Sequence, residues 1–241
     1  MNAGLTTRVK STTRSVAVCD ASDTAIVSPS HRITRRRDLL AGCGAAAVAG
    51  GVYGATMFPG LVGIGDTPKL QFVGAVLGTP HSPGYPVYVM LSWLFAQLPL
   101  GTLAFRINLF SVVCGAVATG LFTLILRELG CRIVVSIAGA LAIAFGRLFW
   151  SQAILAEVYM LNALLFGGVI LFLLRWSRTR SHRDLAIALG FFGIGLAHHL
   201  TLAMTAPALL GFALTVDRKV ITWRTFLTAT LACSSSSTRA N

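Results

Sequence analysis

Residues Ile107 to Leu126 run for 20 positions without a charged side chain, about the length an α-helix needs to cross the hydrocarbon layer of a bilayer. Further uncharged or nearly uncharged runs cover Leu39 to Phe58, Ile133 to Phe149, Val158 to Leu174, Leu185 to Val216 and Val220 to Cys233. Inside lipid every backbone N–H and C=O must be satisfied within the protein, and helices do so segment by segment. The chain is therefore expected to be all-α and polytopic, with about six or seven spans. Composition agrees: 55% of the 241 residues are hydrophobic, 12% are charged and the mean hydropathy is +0.74, too apolar for the polar surface of a soluble domain.

Two segments depart from simple spans. Residues 87 to 98, bounded by Pro86 and Pro99, are apolar but short, and read as an interfacial or re-entrant helix. Leu185 to Val216 is 32 residues long, too long for one ordinary helix, with His198-His199 near its middle, and reads as a tight pair of short spans turning at the histidines.

Around these runs the reading is a disordered, basic cytoplasmic tail over 1–38, a transmembrane domain over 39–233, and a Ser-rich aberrant tail over 234–241. That tail suggests an incomplete N-terminal portion. Thr34 to Leu40 mimics a twin-arginine signal and Leu40-Ala41-Gly42-Cys43 a lipobox; a signal-anchor fits better because more spans follow, and cleavage near Ala45-Ala46-Ala47 stays open. The net charge of +12 lies in short groups between apolar runs, with no nucleic-acid module. The five cysteines (Cys19, Cys43, Cys114, Cys131 and Cys233) have neither a disulfide pattern nor metal-ligand spacing, so no metal and no cofactor are expected.

Basic residues set the orientation. With the N-terminus in the cytoplasm, sixteen Lys and Arg fall inside and only Lys69, Arg106 and Arg147 outside, with Arg239 unassigned. Glu128, Asp184 and Asp217 then lie in cytoplasmic loops beside Arg or Lys. Asp66 and Glu157 are the two acids placed outside, on the face that also receives Lys69, His81, Arg106, Arg147, His198 and His199. An ionisable group beside a span is costly unless water, a partner or a substrate receives it. A site on the extracytoplasmic face of an integral membrane protein, such as a bacterial inner-membrane protein, is the expectation. Structural readings stand beside it. Asp66 before Thr67-Pro68 suits a helix cap, Glu157 suits a pair with Arg147, His81 suits a turn brace and His198-His199 a helix end. Tyr85, Tyr88, Trp93 and Trp150 suit interfacial anchors.

The order Gly65-Asp66, Thr79-Pro80-His81-Ser82-Pro83-Gly84-Tyr85-Pro86, Phe105-Arg106-Ile107-Asn108-Leu109, Phe149-Trp150-Ser151-Gln152, Ala156-Glu157-Val158 and Gly195-Leu196-Ala197-His198-His199-Leu200-Thr201 resembles a family of bacterial and animal membrane proteins, formerly of unknown function, that includes the transmembrane protein O-mannosyltransferase of the endoplasmic reticulum. The resemblance covers about residues 39 to 231. It implies a helical bundle similar to the GT-C glycosyltransferases, moving a sugar from a polyprenyl-phosphate donor to a hydroxyl of an acceptor protein or glycan on the non-cytoplasmic face. Asp66 takes the place of the acid that serves the acceptor in such enzymes. Substrate binding then falls to His81, Arg106, Glu157, His198, His199, Lys69 and Arg147. Many relatives resemble Gly-Asp-Ser-Gly-Glu-Leu where this chain has Gly65-Asp66-Thr67-Pro68-Lys69-Leu70, so Lys69 stands where a second acid is expected and Asp66 is left as the sole local base. A non-catalytic binding or transport protein for lipid-linked sugar, or an inactive fragment, is the alternative.

Overall fold

The computed structural model describes residues 35–63, 65–82 and 84–218. Residues 1–34 of the tail expected over 1–38, and the last apolar run with the Ser-rich end over 219–241, lie outside the described residues. Among the described residues every regular element is helical: α1 (Arg35–Thr56), α2 (Thr67–Val76), α3 (Pro86–Ala96), α4 (Leu103–Glu128), α5 (Ile133–Ala144), α6 (Arg147–Ala153), α7 (Tyr159–Thr179), α8 (His182–His198) and α9 (Thr201–Val216). Three of them, α1, α4 and α7, are long and apolar enough to cross a membrane, and α5 with α6 makes a fourth if the bent pair is one span.

Local chemistry sets the helix ends. The Thr102 hydroxyl accepts from the Phe105 N–H at 3.2 Å and starts α4, while Pro68 and Pro86 occupy the first turns of α2 and α3, where a missing N–H costs nothing. The chain leaves α4 through Gly130 at φ 90°, a left-handed conformation that glycine reaches without strain. The span expected over Ile133–Phe149 breaks: Gly146 is extended (ψ 136°), and α5 and α6 meet at 71°. The interfacial helix expected over 87–98 is α3. At the histidines His199 is extended (φ −146°, ψ 128°) between α8 and α9, so the 185–216 run does turn there.

Small residues let α1 and α4 approach closely, the usual device where lipid offers no hydrophobic drive between helices. Ala41, Ala45, Ala49 and Tyr53 form the buried stripe of α1, and the Tyr53 hydroxyl donates to the Ala144 carbonyl at 2.8 Å. A Cβ on Gly120 would lie 3.0 Å from the Gly42 carbonyl oxygen and 3.3 Å from the Ala46 Cβ. The first of these is backbone and cannot swing aside. Gly120→Ala therefore costs about 1–3 kcal/mol, read as a lower unfolding midpoint in detergent; an unchanged midpoint would show that the two helices part without penalty.

Charge divides between the two ends of the bundle. Where α1 starts and α4 and α7 end, the Arg127 Nε donates to the buried Asp38 at 2.6 Å and the Arg175 Nε to Glu128 at 3.0 Å, with Arg178 3.7 Å from the same carboxylate. Asp184 accepts from the Thr179 hydroxyl and Asp217 faces Arg180 at 3.9 Å. The start of α1 at Arg35 places Asp38 in a helix rather than in the expected tail. At the opposite end lie the starts of α2, α4, α7 and α9.

Candidate functional site

Asp66 sits at the N-cap position of α2, yet its carboxylate makes no capping bond and its backbone is helical (φ −88°, ψ −9°). The carboxylate instead faces Lys69 at 3.4 Å and the His81 Nε2 at 3.8 Å, and is 52% exposed. An acid in this state is free to meet a ligand, and the Lys69 ammonium and the His81 imidazole beside it offer donors to negative charge at the same spot.

Glu157 enters the same cluster from the segment before α7. The Thr67 hydroxyl donates to its Oε1 at 2.7 Å, across 90 residues of sequence, and its backbone N–H donates to the Ser111 hydroxyl at 3.2 Å. No bond joins it to Arg147, so the expected pair across the turn is replaced by Thr67 and Ser111. Two acids from distant motifs thus flank one site, Asp66 at the start of α2 and Glu157 bonded to the very next residue.

Burial holds the Glu157 carboxyl above its ordinary 4.5; the Thr67 hydrogen bond opposes the rise, Asp66 adds to it and His81 opposes it. The stability contributed by an acid with a raised folded pKa is full below about 4.5 and is lost as the pH climbs through the folded value. Glu157→Gln keeps an acceptor for Thr67 but cannot ionise. Its unfolding midpoint in detergent gains on the parent's as the pH rises from about 4 to about 8; a gap that stays constant with pH would contradict this.

The histidines close the cluster. His198 is buried, with Nε2 3.0 Å from the Val158 carbonyl oxygen. A carbonyl only accepts, so Nε2 carries the hydrogen and leaves Nδ1 buried without a partner among the described residues. His199 Nδ1 lies 2.9 Å from the Thr201 hydroxyl and accepts from the Thr201 N–H at 3.2 Å, and burial lowers its pKa. Both rings stand against Tyr85, 6.1 Å and 5.5 Å away, with His81 at 5.3 Å on the same ring.

Tyr85, Thr67 and Tyr159 were not among the expected site residues. Tyr85 and Tyr88 were expected as interfacial anchors, but both are buried. Tyr85 is a left-handed residue (φ 45°, ψ 52°), a conformation costing about 1–2 kcal/mol outside glycine and further disfavoured before a proline. The signal in the sequence was Gly84-Tyr85-Pro86 itself, a turn with no reason to be apolar.

Two expected residues lie elsewhere. The Arg106 guanidinium donates to the Ala96, Leu98 and Thr102 carbonyls and so ties α3 to α4. Arg147 lines a cleft of about 480 Å³ with Thr56, Phe145, Trp150, Ser151 and Ile154. No contact brings either arginine to Asp66.

The sequence model of the protein O-mannosyl-transferase TMEM260 N-terminal domain family matches residues 66–222, a stretch that begins at Asp66 and takes in the whole cluster. The chain belongs to this family. Within it, the mouse protein O-mannosyl-transferase TMEM260 is 34% identical over 136 residues, covering 55% of this chain and 19% of the mouse protein. The Dictyostelium discoideum protein O-mannosyl-transferase tmem260 is 29% identical over 128 residues, 52% of this chain and 15% of that protein. The matched region thus spans less than a fifth of either relative. No solved structure matches the chain.

Proposed function

We propose that the full-length protein is a membrane glycosyltransferase that moves mannose from a polyprenyl-phosphate donor to a Ser or Thr hydroxyl of an acceptor protein. We place its site on the non-cytoplasmic face and take this stretch as the N-terminal portion, with about six or seven spans, of a GT-C-like bundle. The observation that carries this reading is the meeting of Asp66 and Glu157 at the end of the bundle away from the Asp38, Glu128 and Asp184 pairs. Membership of the TMEM260 family supplies the sugar and the acceptor class, and the excess of Lys and Arg at the other end supports the sidedness.

In this mechanism the acceptor oxygen attacks the anomeric carbon while Asp66 takes the hydroxyl proton. The bond from that carbon to the phosphate oxygen breaks, and polyprenyl phosphate leaves with the electron pair. A positioned base contributes about 10²–10⁴-fold to such a step. Lys69 and His81, beside Asp66, supply positive charge to the leaving phosphate. Glu157 and the two histidines wall the site and orient the sugar.

Membranes holding the full-length protein, given labelled polyprenyl-phosphate mannose and a Ser/Thr-containing peptide, are expected to label the peptide. No label in the peptide would contradict the reading. Donor that is bound but never consumed, with binding kept in Asp66→Asn and lost in Lys69→Ala, would instead favour a lipid-linked-sugar carrier.

A further inference from the structure

Tyr85 is the point where the cluster's parts meet, and it rests in a conformation its own sequence disfavours. Its backbone is left-handed immediately before Pro86. The turn that feeds it, closed by the Gly84 N–H on the His81 carbonyl at 2.6 Å, brings the ring inward rather than out to the interface. Strain of this kind persists only where the surroundings hold it, and it gathers at functional sites.

The side chain is 8% exposed, with its ring packed against His81, His198 and His199. Tyr159 also packs against His199, with ring centroids 6.1 Å apart. Burial raises the Tyr85 pKa, and the Tyr159 phenol and the charges of Asp66 and Glu157 add to the rise. The Tyr85 hydroxyl bonds to no partner among the described residues. The ring is buried while its hydroxyl is not among the buried unpartnered atoms, so the phenol O–H opens outward from the three imidazoles, on the side where a ligand can reach it.

We propose that Tyr85 contacts the substrate directly, its hydroxyl bonding a hydroxyl of the bound sugar between Asp66 and Glu157 and so selecting the sugar. The role rests on the glycosyl-transfer reading and deepens it. The phenol can donate to the sugar oxygen or accept from its O–H, Glu157 takes a neighbouring hydroxyl, and Asp66 stays open to the acceptor. Because the hydroxyl contributes nothing to the packing of the three imidazoles, its removal separates recognition from folding.

The test compares the full-length parent with Tyr85→Phe, which keeps the ring and its histidine contacts. Three quantities are measured: the unfolding midpoint in detergent, binding of methyl α-mannoside by saturation-transfer NMR, and transfer of labelled mannose. Tyr85→Phe is expected to keep the parent's midpoint, to bind the mannoside more weakly, and to lower kcat/KM for transfer by about tenfold, the scale of one lost hydrogen bond in an enclosed site. Binding and transfer equal to the parent's would overturn the role of Tyr85 while leaving the glycosyl-transfer reading in place. A midpoint that falls together with transfer would assign Tyr85 to structure alone and overturn it too. A parent that neither binds the mannoside nor transfers mannose would remove the reading itself, and the proposal with it.

Discussion

Asp66→Asn lowers mannose transfer by about 10²–10⁴-fold, the share a positioned base holds in such a step, and leaves the fold intact. Both halves of this expectation come from one geometry. The Asp66 carboxylate is half exposed, makes no capping bond to α2 and, among the described residues, faces Lys69 and His81. An exposed ion pair of this kind contributes about 0–1 kcal/mol, so its loss barely moves the unfolding midpoint. An amide of nearly the same shape keeps the neighbours in place and cannot take a proton. Transfer at the parental rate in Asp66→Asn would remove Asp66 from the chemistry. A collapse of the midpoint would show that the residue holds structure after all.

The second large effect is expected at Asn108, which touches no part of the proposed chemistry. Fully buried in α4, it accepts from the Gln71 Nε2 at 3.0 Å and donates to the Phe58 carbonyl at 2.7 Å. Gln71, itself buried in α2, donates to the Gly60 carbonyl at 3.2 Å and accepts from the Val62 N–H at 3.1 Å. These bonds strap the 58–62 connection, just ahead of Asp66, to α2 and α4. Asn108→Ala leaves a buried amide and a carbonyl short of partners and opens a small void. The cost is about 2–4 kcal/mol, seen as a lower unfolding midpoint in detergent, and transfer falls as well because the connection carrying Asp66 loosens. Asn108→Asp tests the same strap differently: it keeps the acceptor for Gln71 but buries a carboxylate against the Phe58 carbonyl, and is expected to lose at least as much as Ala at neutral pH. An Asn108→Ala variant as stable as the parent would show that water serves these groups equally well.

The spans were legible because uncharged runs of bilayer length admit few other structures, and α1, α4 and α7 follow them to within a few residues. The turn at His198-His199 was legible for the same reason, since 32 apolar residues exceed one span. The break between α5 and α6 was not, because it depends on one extended glycine, Gly146, inside a run whose hydropathy is unbroken. Charge counting separated Asp66 and Glu157 from the other acids, but it could not pair them. Glu157 meets Thr67 rather than Arg147 because α2 and the segment before α7 both seat on α4, where Ser111 bonds the Glu157 backbone, and 90 residues of separation leave no trace in spacing. Arg106 and Arg147 show the converse. Both lie toward the expected end, yet one is consumed by backbone carbonyls at the junction of α3 and α4, and the other lines a different cleft. Tyr85 was hidden by its chemistry, since an aromatic near a membrane span reads as an anchor until its backbone conformation is known.

The claim that the Asp66 cluster transfers sugar on the non-cytoplasmic face is tested most directly by sidedness. Sealed vesicles of the full-length protein, loaded with labelled polyprenyl-phosphate mannose, receive acceptor peptide on one side at a time. Leu61→Cys, exposed on the same connection as Asp66, reports through an impermeant thiol reagent, against the parent's own cysteines, which side carries the cluster. The expected result is labelled peptide only when it is added to the side where Cys replaces Leu61 and reacts, with that side opposite the cytoplasmic one. Label entering peptide from the other side, or reaction of the reporter from the cytoplasm, would contradict the account.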